Sequence, residues 1–190
     1  NTARSVYIYD NVEGTTKAEF NDDLTISTAG SSADYLYGFD VRNGGKADIA
    51  KGLFMNDNGA ITWSLFASGA DSKIDVNSTG SGEVQVIGDV GGYNGGVVNM
   101  NMNTDTSYLT AASYITGNGE VNFDISNSAV WNMTGSSRAT DLNINNGIVD
   151  LRADKNRYST LTAANLNGSG GIFKIDIDVR LSLIHISEPT

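Results

Sequence analysis

Cysteine is absent from this sequence of 190 residues, and proline and histidine occur once each, as Pro189 and His185. A chain without cysteine has no disulfide framework, no thiolate nucleophile and no cysteine-ligated zinc site. No apolar run reaches the roughly 18 residues of a membrane-spanning helix, and no leader of the signal-peptide type is present. Since the chain begins at Asn1 rather than at a methionine, we expect it to be an internal fragment.

Positive charge is also scarce. The sequence has 12 Lys and Arg against 22 Asp and Glu, a formal net charge of −10. Such a charge repels nucleic-acid phosphates and anionic lipids, so we expect no nucleic-acid partner and no docking on a membrane surface. Residues that favour helices are sparse, whereas 22 Gly, 21 Asn, 19 Ser and 16 Thr are typical of turns and solvated strand faces.

A glycine followed by alternating apolar residues recurs along the chain and is its most informative feature. Successive copies are separated by 23, 14, 23, 28 and 24 residues. Most of these spacings are near the length of one coil of a right-handed parallel β-helix, and we interpret the shortest as a step within a coil. The pattern predicts an all-β solenoid, with an antiparallel β-sandwich as the alternative. The copies are Gly59–Trp63, Gly82–Val86, Gly96–Met100, Gly119–Phe123, Gly147–Leu151 and Gly171–Ile175.

In such a solenoid each coil pairs in parallel with the coil before it, so residues at equivalent positions stack in the interior. The second residue after each glycine is predicted to face inward, and alternate residues of the strand are predicted to face water. The predicted interior positions are Ile61, Val84, Val98, Val121, Val149 and Phe173. The predicted outer positions are Thr62, Gln85, Asn122, Asp150 and Lys174.

Residues 129–178 contain an ordered series of short motifs that carries a family resemblance. The series resembles the C-terminal end of an autotransporter passenger domain, the pertactin-like or AIDA-like β-helix of type V secretion. Residues 1–128 resemble that family only in style. The motifs are Ala129-Val-Trp131-Asn-Met, a small-residue turn ending at Ser137, Asp141-Leu-Asn-Ile-Asn-Asn-Gly147-Ile-Val149, Tyr158-Ser-Thr-Leu161, and Leu166-Asn-Gly-Ser-Gly-Gly-Ile-Phe173 followed by Asp176 and Asp178.

The resemblance implies three regions. Residues 1–128 are expected to be β-helix coils of the passenger, and residues 129–180 its C-terminal stabilising coils. Residues 181–190 change style abruptly and resemble a translated sequencing adapter, so we expect a non-native tail. One departure from the family pattern is Arg138-Ala-Thr140, where an apolar residue beside a serine is usual, and this predicts a less tightly filled coil.

A function follows from the resemblance as an expectation. It implies a non-enzymatic fragment at the surface of a Gram-negative bacterium, anchored in the outer membrane of the full-length protein by a C-terminal translocator barrel that this fragment lacks. The expected role is adhesion or aggregation through polar ladders, or that of a structural stalk. The expected partner is a host or bacterial surface receptor, protein or glycan, or a second copy of the chain.

The sequence contains few residues in patterns that support catalysis. Because the single histidine, His185, lies in the suspected tail, a Ser-His-Asp triad is excluded from residues 1–180. Asp176 and Asp178 share one strand face and could form a glycosidase pair, but we interpret them as a solvated face with Ile175 and Ile177 buried. We therefore expect no catalytic residues, no cofactor and no metal.

Three further groups of residues could form sites: paired aspartates, glycine-rich segments and large aromatic residues. Asp22 and Asp23 would point to opposite faces of a strand. Residues 56–59 and 88–96 superficially resemble calcium loops, but we interpret both as plain turns. Trp63, Trp131 and Tyr93 could stack on sugars, with Trp131 predicted to lie in the core.

The alternative function is enzymatic. A polysaccharide lyase or glycoside hydrolase on the same β-helix would need acids and a basic residue in one groove. Asp150, Arg152 and Lys174 lie in or beside adjacent predicted strands and keep that alternative open.

Overall fold

The structure is a computed structural model that describes residues 1–10, 16–27, 33–55, 61–152 and 159–176. Within these ranges the chain forms β-strands and no helix, so no helix of the described part has the length and apolar character to cross a membrane. The strands are β1 (Thr2–Tyr9), β2 (Lys17–Phe20), β3 (Leu24–Ile26), β4 (Tyr35–Arg42), β5 (Lys46–Ile49), β6 (Leu53–Met55), β7 (Trp63–Ser68), β8 (Lys73–Val76), β9 (Val84–Ile87), β10 (Asp89–Tyr93), β11 (Val97–Met102), β12 (Tyr108–Ala111), β13 (Ser113–Thr116), β14 (Glu120–Ser126), β15 (Val130–Met133), β16 (Ser137–Asn145), β17 (Ile148–Asp150), β18 (Leu161–Ser169) and β19 (Ile172–Lys174).

The strands form three sheets, and every strand pair is parallel. Sheet A has the order β1-β4-β7-β10-β13, sheet B the order β18-β16-β14-β11-β8-β5-β2, and sheet C the order β19-β17-β15-β12-β9-β6-β3. Consecutive strands therefore belong to different sheets, and each strand pairs with the strand one coil earlier. This arrangement is a parallel β-helix, as predicted, and it is incompatible with an antiparallel sandwich.

The coils are numbered along the axis of the solenoid. Coils 1 to 5 each contribute one strand to sheets A, B and C, in that order. Among the described residues, coil 6 consists of β16 and β17 and coil 7 of β18 and β19, so neither adds a described strand to sheet A. Instead, β16 and β18 are each 9 residues long and pair along their whole length from Ser137↔Leu161 to Asn145↔Ser169. Sheet A consequently ends at β13, and a step forms on that side of the solenoid.

The interior is a continuous column of apolar side chains. In sheet B, Val98 pairs with Val121 and Met100 with Phe123, and all four are buried. Trp131 is the largest fully buried side chain. Its ring centroid lies 4.6 Å from that of Phe123, and its indole Nε1 donates to the Ala111 carbonyl oxygen at 3.1 Å. The prediction that Trp131 is a core residue is confirmed.

Most predicted interior positions are buried, with one exception. Ile61, Val84, Val98, Val121 and Val149 are all at most 4% exposed. Phe173 is 42% exposed, so its predicted burial is wrong. It pairs with Val149 on one side, and no described strand covers its other side. A side chain in the last described coil has a neighbouring coil on one side only, so less of its surface is covered than in the middle of the solenoid.

The copies of the repeat also divide among the three sheets, which corrects the prediction that all of them stack on one another. The copy that ends at Trp63 leads into β7 of sheet A. Val98 and Val121 lie in sheet B, whereas Val84, Val149 and Phe173 lie in sheet C. The shortest spacing, from Gly82 to Gly96, runs from β9 to β11, which confirms a step shorter than one coil. The predicted outer positions Thr62, Gln85, Asn122, Asp150 and Lys174 are each partly exposed, as expected.

Turns between the sheets use residues with positive φ. Asn43 and Gly44 have φ angles of 53° and 89° and join β4 to β5, a left-handed conformation that Asn and Gly tolerate best. The Asn-Gly pair thus turns the chain between two sheets and forms no hairpin. The predicted boundaries at residues 128 and 180 stay a prediction.

Candidate functional site

The outer surface of sheet A carries a cluster of touching aromatic rings. We call this cluster, made of Tyr37, Trp63, Phe66, Tyr93 and Tyr114, the aromatic face. The Trp63 ring centroid lies 5.2 Å from that of Phe66, 5.8 Å from that of Tyr93 and 5.4 Å from that of Tyr114. Phe66 also lies 5.0 Å from Tyr93 and 5.5 Å from Tyr37. These distances are within the range of favourable ring pairs.

The parallel register of sheet A brings the rings together from four coils. Tyr37 in β4 pairs with Trp63 in β7, and Gly91 in β10 pairs with Phe66 on one side and Tyr114 on the other. Gly91 leaves room for the rings, because a Cβ atom there would lie 2.7 Å from Trp63 Cζ3 and 3.1 Å from Phe66 Cδ2. The Trp63 ring therefore packs directly against the backbone of β10 at Gly91.

Two arginines extend the aromatic face toward coil 1. Asp40 is fully buried and accepts hydrogen bonds from Arg4 Nε and, at 2.6 Å, from Arg42 Nε. The guanidinium of Arg42 lies over the Phe66 ring, 5.1 Å from its centroid, and that of Arg4 lies 4.7 Å from the centroid of Tyr7. Cations held over ring faces in this way add cation–π attraction. One buried carboxylate thus positions both arginines against aromatic rings.

Burial affects the ionisable groups beside the rings. Burial raises the pKa of the Tyr93 and Tyr114 phenols, and negative charge on neighbouring groups adds to the shift. Both therefore stay neutral near pH 7 and keep a hydroxyl donor. Burial also raises the pKa of Asp89, while the hydrogen bond that its Oδ1 accepts from the Ala112 N–H at 2.9 Å opposes the shift.

Comparison of the chain with family models, curated proteins and solved structures finds no match. The geometry of the aromatic face is therefore the evidence for its chemistry. Large rings that are partly exposed and clustered on one surface are typical of recognition sites, because they offer apolar area at a low cost in conformational entropy.

The outer surface of sheet B carries a different arrangement, the polar ladder. Asn99 Nδ2 donates to Asp75 Oδ1 at 2.7 Å, and Asn122 Nδ2 donates to Asn99 Oδ1 at 2.8 Å. The ladder continues through the Asp141 backbone N–H, which donates to Asn122 Oδ1 at 3.1 Å, and through Asn165 Nδ2, which donates to Asp141 Oδ1 at 2.7 Å. The side-chain amides of Asn99, Asn122 and Asn165 thus each donate to an oxygen in the preceding coil.

The residues considered for a lyase or hydrolase form an ion cluster among themselves. Arg152 donates from Nε and Nη2 to the two oxygens of Asp150 at 2.9 and 2.8 Å, and Lys174 Nζ lies 4.0 Å from Asp150 Oδ2. The hydrogen bond from Arg152 holds the pKa of Asp150 below its usual value. A general acid needs a raised pKa, so Asp150 is unsuited to that role.

The remaining acidic candidates are not brought together. Asp22 and Asp23 lie between β2 and β3 rather than in a strand. Asp22 pairs with Lys51 Nζ at 2.8 Å, and Asp23 accepts from the Gly52 backbone N–H at 3.0 Å. Asp176 is exposed and lies beyond the end of β19.

The other half of that carboxylate pair, Asp178, lies outside the described residues, as do Ile177 and His185. Ile175 is 55% exposed, so its predicted burial is wrong. It follows β19 in the last described coil, where no further described strand covers it.

The two glycine-rich segments have different outcomes. Residues 56–59 lie outside the described residues. Residues 88–96 were interpreted as a turn, and this is wrong, because they contain strand β10. Glycine is needed there for room, since a Cβ atom on Gly92 would lie 2.2 Å from the Glu120 carbonyl oxygen. No group of three or more His, Cys, Asp and Glu within the described ranges could hold a metal ion.

The sequence identified part of the aromatic face. Trp63 and Tyr93 were considered as sugar-stacking residues, and both lie on the outer surface of sheet A, partly exposed. Tyr37, Phe66 and Tyr114 were missed. Their signal in the sequence is a spacing of roughly one coil between aromatic residues, which places them side by side only once the coil length is known.

Proposed function

We propose that this chain is a non-enzymatic part of an autotransporter passenger that is displayed on a Gram-negative cell surface and binds a surface partner. The parallel β-helix fold and the ordered motifs of residues 129–178 support this proposal. The partner class is a receptor on a host or bacterial cell, and self-association of the chain is the other mode of adhesion.

The observation that carries the binding role is the aromatic face. Tyr114 is 38% exposed and Tyr7, at the coil 1 end of the same surface, is 50% exposed. The rings and the flanking guanidiniums present apolar area and positive charge side by side, a composition enriched at binding hot spots. The polar ladder on sheet B is less suited to binding because its amides already hydrogen-bond to one another.

The experiment compares one aromatic substitution on each of two faces. Labelled wild-type chain, Trp63→Ala and Tyr108→Ala would be incubated with cultured epithelial cells and with Gram-negative bacteria, and bound label would be counted. Tyr108 is the matched control, since it is a partly exposed aromatic residue on the outer surface of sheet C. We expect Trp63→Ala to lose at least tenfold in binding, equivalent to about 1.4 kcal/mol or more, and Tyr108→Ala to bind as the wild type does.

Equal binding by all three proteins would remove the aromatic face from the proposal. Circular dichroism would establish that each variant keeps the β-sheet spectrum of the wild type. Sedimentation of the wild-type chain over a range of concentrations would detect self-association, which binding to cells does not report.

The autotransporter part of the proposal has a separate test. Long genomic reads across codon 180 are expected to leave the present residues 181–190 and to continue into a further coil, a linker and a series of alternating membrane strands. Reads that reproduce Leu181–Thr190 as genuine coding sequence would make His185 native and would remove the main support for surface display.

A further inference from the structure

A groove lies at the step where sheet A ends. Its volume is about 290 Å³, and it is bounded by β13 on one side and by the first residues of β16 and β18 on the other. Because coils 6 and 7 add no described strand to sheet A, the edge of β13 lies beside the extended starts of these two strands. The groove is thus a product of the change in coil shape.

The floor of the groove is fixed by hydrogen bonds. The Ser113 backbone N–H donates to Ser137 Oγ at 3.1 Å, and Ser113 Oγ donates to the Arg138 carbonyl oxygen at 2.6 Å. Ser137 Oγ in turn donates to the Gly135 carbonyl oxygen at 2.9 Å. Ser113 and Ser137 are buried, so these bonds hold β16 against β13 and leave the groove preformed.

One wall of the groove is aromatic. Tyr93 and Tyr114, two rings of the aromatic face, line it. The Tyr114 ring also contacts the Trp63 ring, so the groove is continuous with the aromatic face. An exposed ring beside a preformed groove is a platform on which a sugar ring can stack.

The opposite wall carries a cation and hydroxyl groups. Arg138 is exposed, and among the described residues its guanidinium has neither an ion pair nor a hydrogen bond. Every other Lys and Arg of the described ranges except Lys46 is paired with a carboxylate. The hydroxyl-bearing residues Ser136, Thr160 and Thr162 lie on the same side, and no Asp or Glu is among the described residues of the lining.

Arg138, which departs from the family pattern, is accommodated on the outer side of its strand. Arg138 points outward while Ala139, which is 3% exposed, fills the interior position of the same strand. Arg138 pairs in register with Thr162 of β18, which sets its side chain beside a hydroxyl on the neighbouring coil. Arg138 thus places a cation at the groove, although the whole chain carries a net charge of −10.

We propose that this groove binds a carboxylate-bearing sugar, such as a uronic acid residue of a surface glycan. The guanidinium of Arg138 would bind the carboxylate, Tyr114 would stack on the apolar face of the ring, and the Ser and Thr hydroxyls would hydrogen-bond to sugar hydroxyls. A volume near the lower limit of small-molecule pockets suits one sugar ring. The inference rests on the proposed binding role of the aromatic face, which shares Tyr93 and Tyr114 with the groove.

The test is an NMR titration of the full chain with trigalacturonate and with its methyl ester, which has the same rings without the charges. We expect the acid to bind at least tenfold more tightly than the ester, and high salt to reduce the difference. Arg138→Ala is expected to remove the preference for the acid, and Arg138→Lys to keep part of it, because lysine keeps the charge but not the planar fork. Tyr114→Ala is expected to weaken both forms alike.

Lys46→Ala is the matched control, since it removes a cation that also has no ion pair within the described ranges but lies in sheet B. It should titrate as the wild type does. Equal affinity for the acid and the ester, or an Arg138→Ala variant that keeps the preference for the acid, would overturn the inference. Inorganic phosphate that competes as strongly as trigalacturonate would also overturn it, because the groove would then be a simple anion site.

This experiment and the cell-binding test fail independently. Cell binding that depends on Trp63 but is unchanged in Arg138→Ala, together with equal affinity for acid and ester, would remove the acidic-sugar site and leave the binding face. Cell binding that is unchanged in Trp63→Ala, together with a strong preference for the acid, would remove the proposed function and leave the groove as a sugar site.

Discussion

The outer surfaces of sheets A and B are built on one interior and carry different chemistry. On sheet A, aromatic rings from four coils contact one another, and the buried carboxylate of Asp40 holds two arginines beside them. On sheet B, Asn and Asp side chains form hydrogen bonds from coil to coil along the solenoid. Most inward residues of both sheets are buried and apolar.

The two surfaces differ in how many of their groups remain available to a partner. The polar ladder uses its donors and acceptors internally, so a ligand would have to replace hydrogen bonds that already exist. The aromatic face leaves ring area exposed, and covering that area with a partner is favourable. We infer that the polar ladder of sheet B contributes to the stability of the solenoid alone, whereas sheet A carries both exposed rings that are available for recognition and a buried carboxylate, Asp40, that contributes to stability.

The largest expected difference between the two sheets concerns a single carboxylate on each. Asp40→Ala should lower the free energy of unfolding by about 2–4 kcal/mol, because Arg4 and Arg42 would lose their buried partner. Asp75→Ala should cost about 0.5–1 kcal/mol, since Asp75 is partly exposed and pairs with Lys73 at 3.0 Å on the surface. Urea titrations of both variants measure the difference.

A similar loss of stability in the two variants would contradict this view of the two faces. Asp40→Asn is the informative third variant. It keeps the shape of the side chain and one acceptor but removes the charge, so it should fall between the wild type and Asp40→Ala.

A smaller effect is expected within the polar ladder. Asn122→Ala removes the hydrogen bond to Asn99 and the acceptor for the Asp141 N–H, and should lower the free energy of unfolding by about 1 kcal/mol. Asn132 in sheet C is the control, because its one side-chain bond, to Thr110 Oγ1, is 3.4 Å long and Asn132→Ala should cost less. Urea titration measures both.

The same variant tests the division of roles. Asn122→Ala should bind to cells as the wild type does, because it leaves the aromatic face unchanged. A loss of cell binding in this variant, with the fold intact, would place recognition on sheet B.

The smallest effect is a dependence on pH that belongs to sheet A. Burial raises the pKa of Asp89 in the folded state, so its contribution favours folding below the unfolded pKa of about 3.9 and is lost as the pH rises through the folded value. Asp89→Asn is neutral at every pH and can still accept from the Ala112 N–H. It should therefore be at least as stable as the wild type at pH 7 and lose that advantage near pH 3.

Thermal unfolding midpoints at the two pH values measure this effect. Asp124→Asn on sheet B is the control, because the Asp124 side chain is exposed there. A variant of Asp89 that is less stable than the wild type at pH 7 would show that the ionised carboxylate is favoured by its surroundings.

The interior was largely predictable because burial follows local alternation. Val98 and Val121 were identified from a glycine and an apolar residue two positions later, and they are buried partners in sheet B. Phe173 has the same local pattern but is exposed, since its burial depends on a second neighbouring coil rather than on its own strand.

The aromatic face was predictable only in part. Trp63 and Tyr93 could be recognised as residues that stack on ligands, but the contacts of Tyr93 with Trp63 and Phe66 depend on the register of β7 and β10, which shifts between Asp89 and Val90. Such a shift is a property of the pairing between two strands, which the alternation within one strand does not give. The groove beside Arg138 could not be predicted either, because it depends on the end of sheet A at β13.

The sequence by itself determined the class of fold and the inward residues, because alternation and turn-forming residues are local properties that act within each strand. The tertiary structure decided which outward residues meet. Residues one coil apart become neighbours only when the coil length, the register and the shape of each coil are fixed together. The contact between Trp63 and Tyr114 and the position of Arg138 beside β13 both depend on that common arrangement.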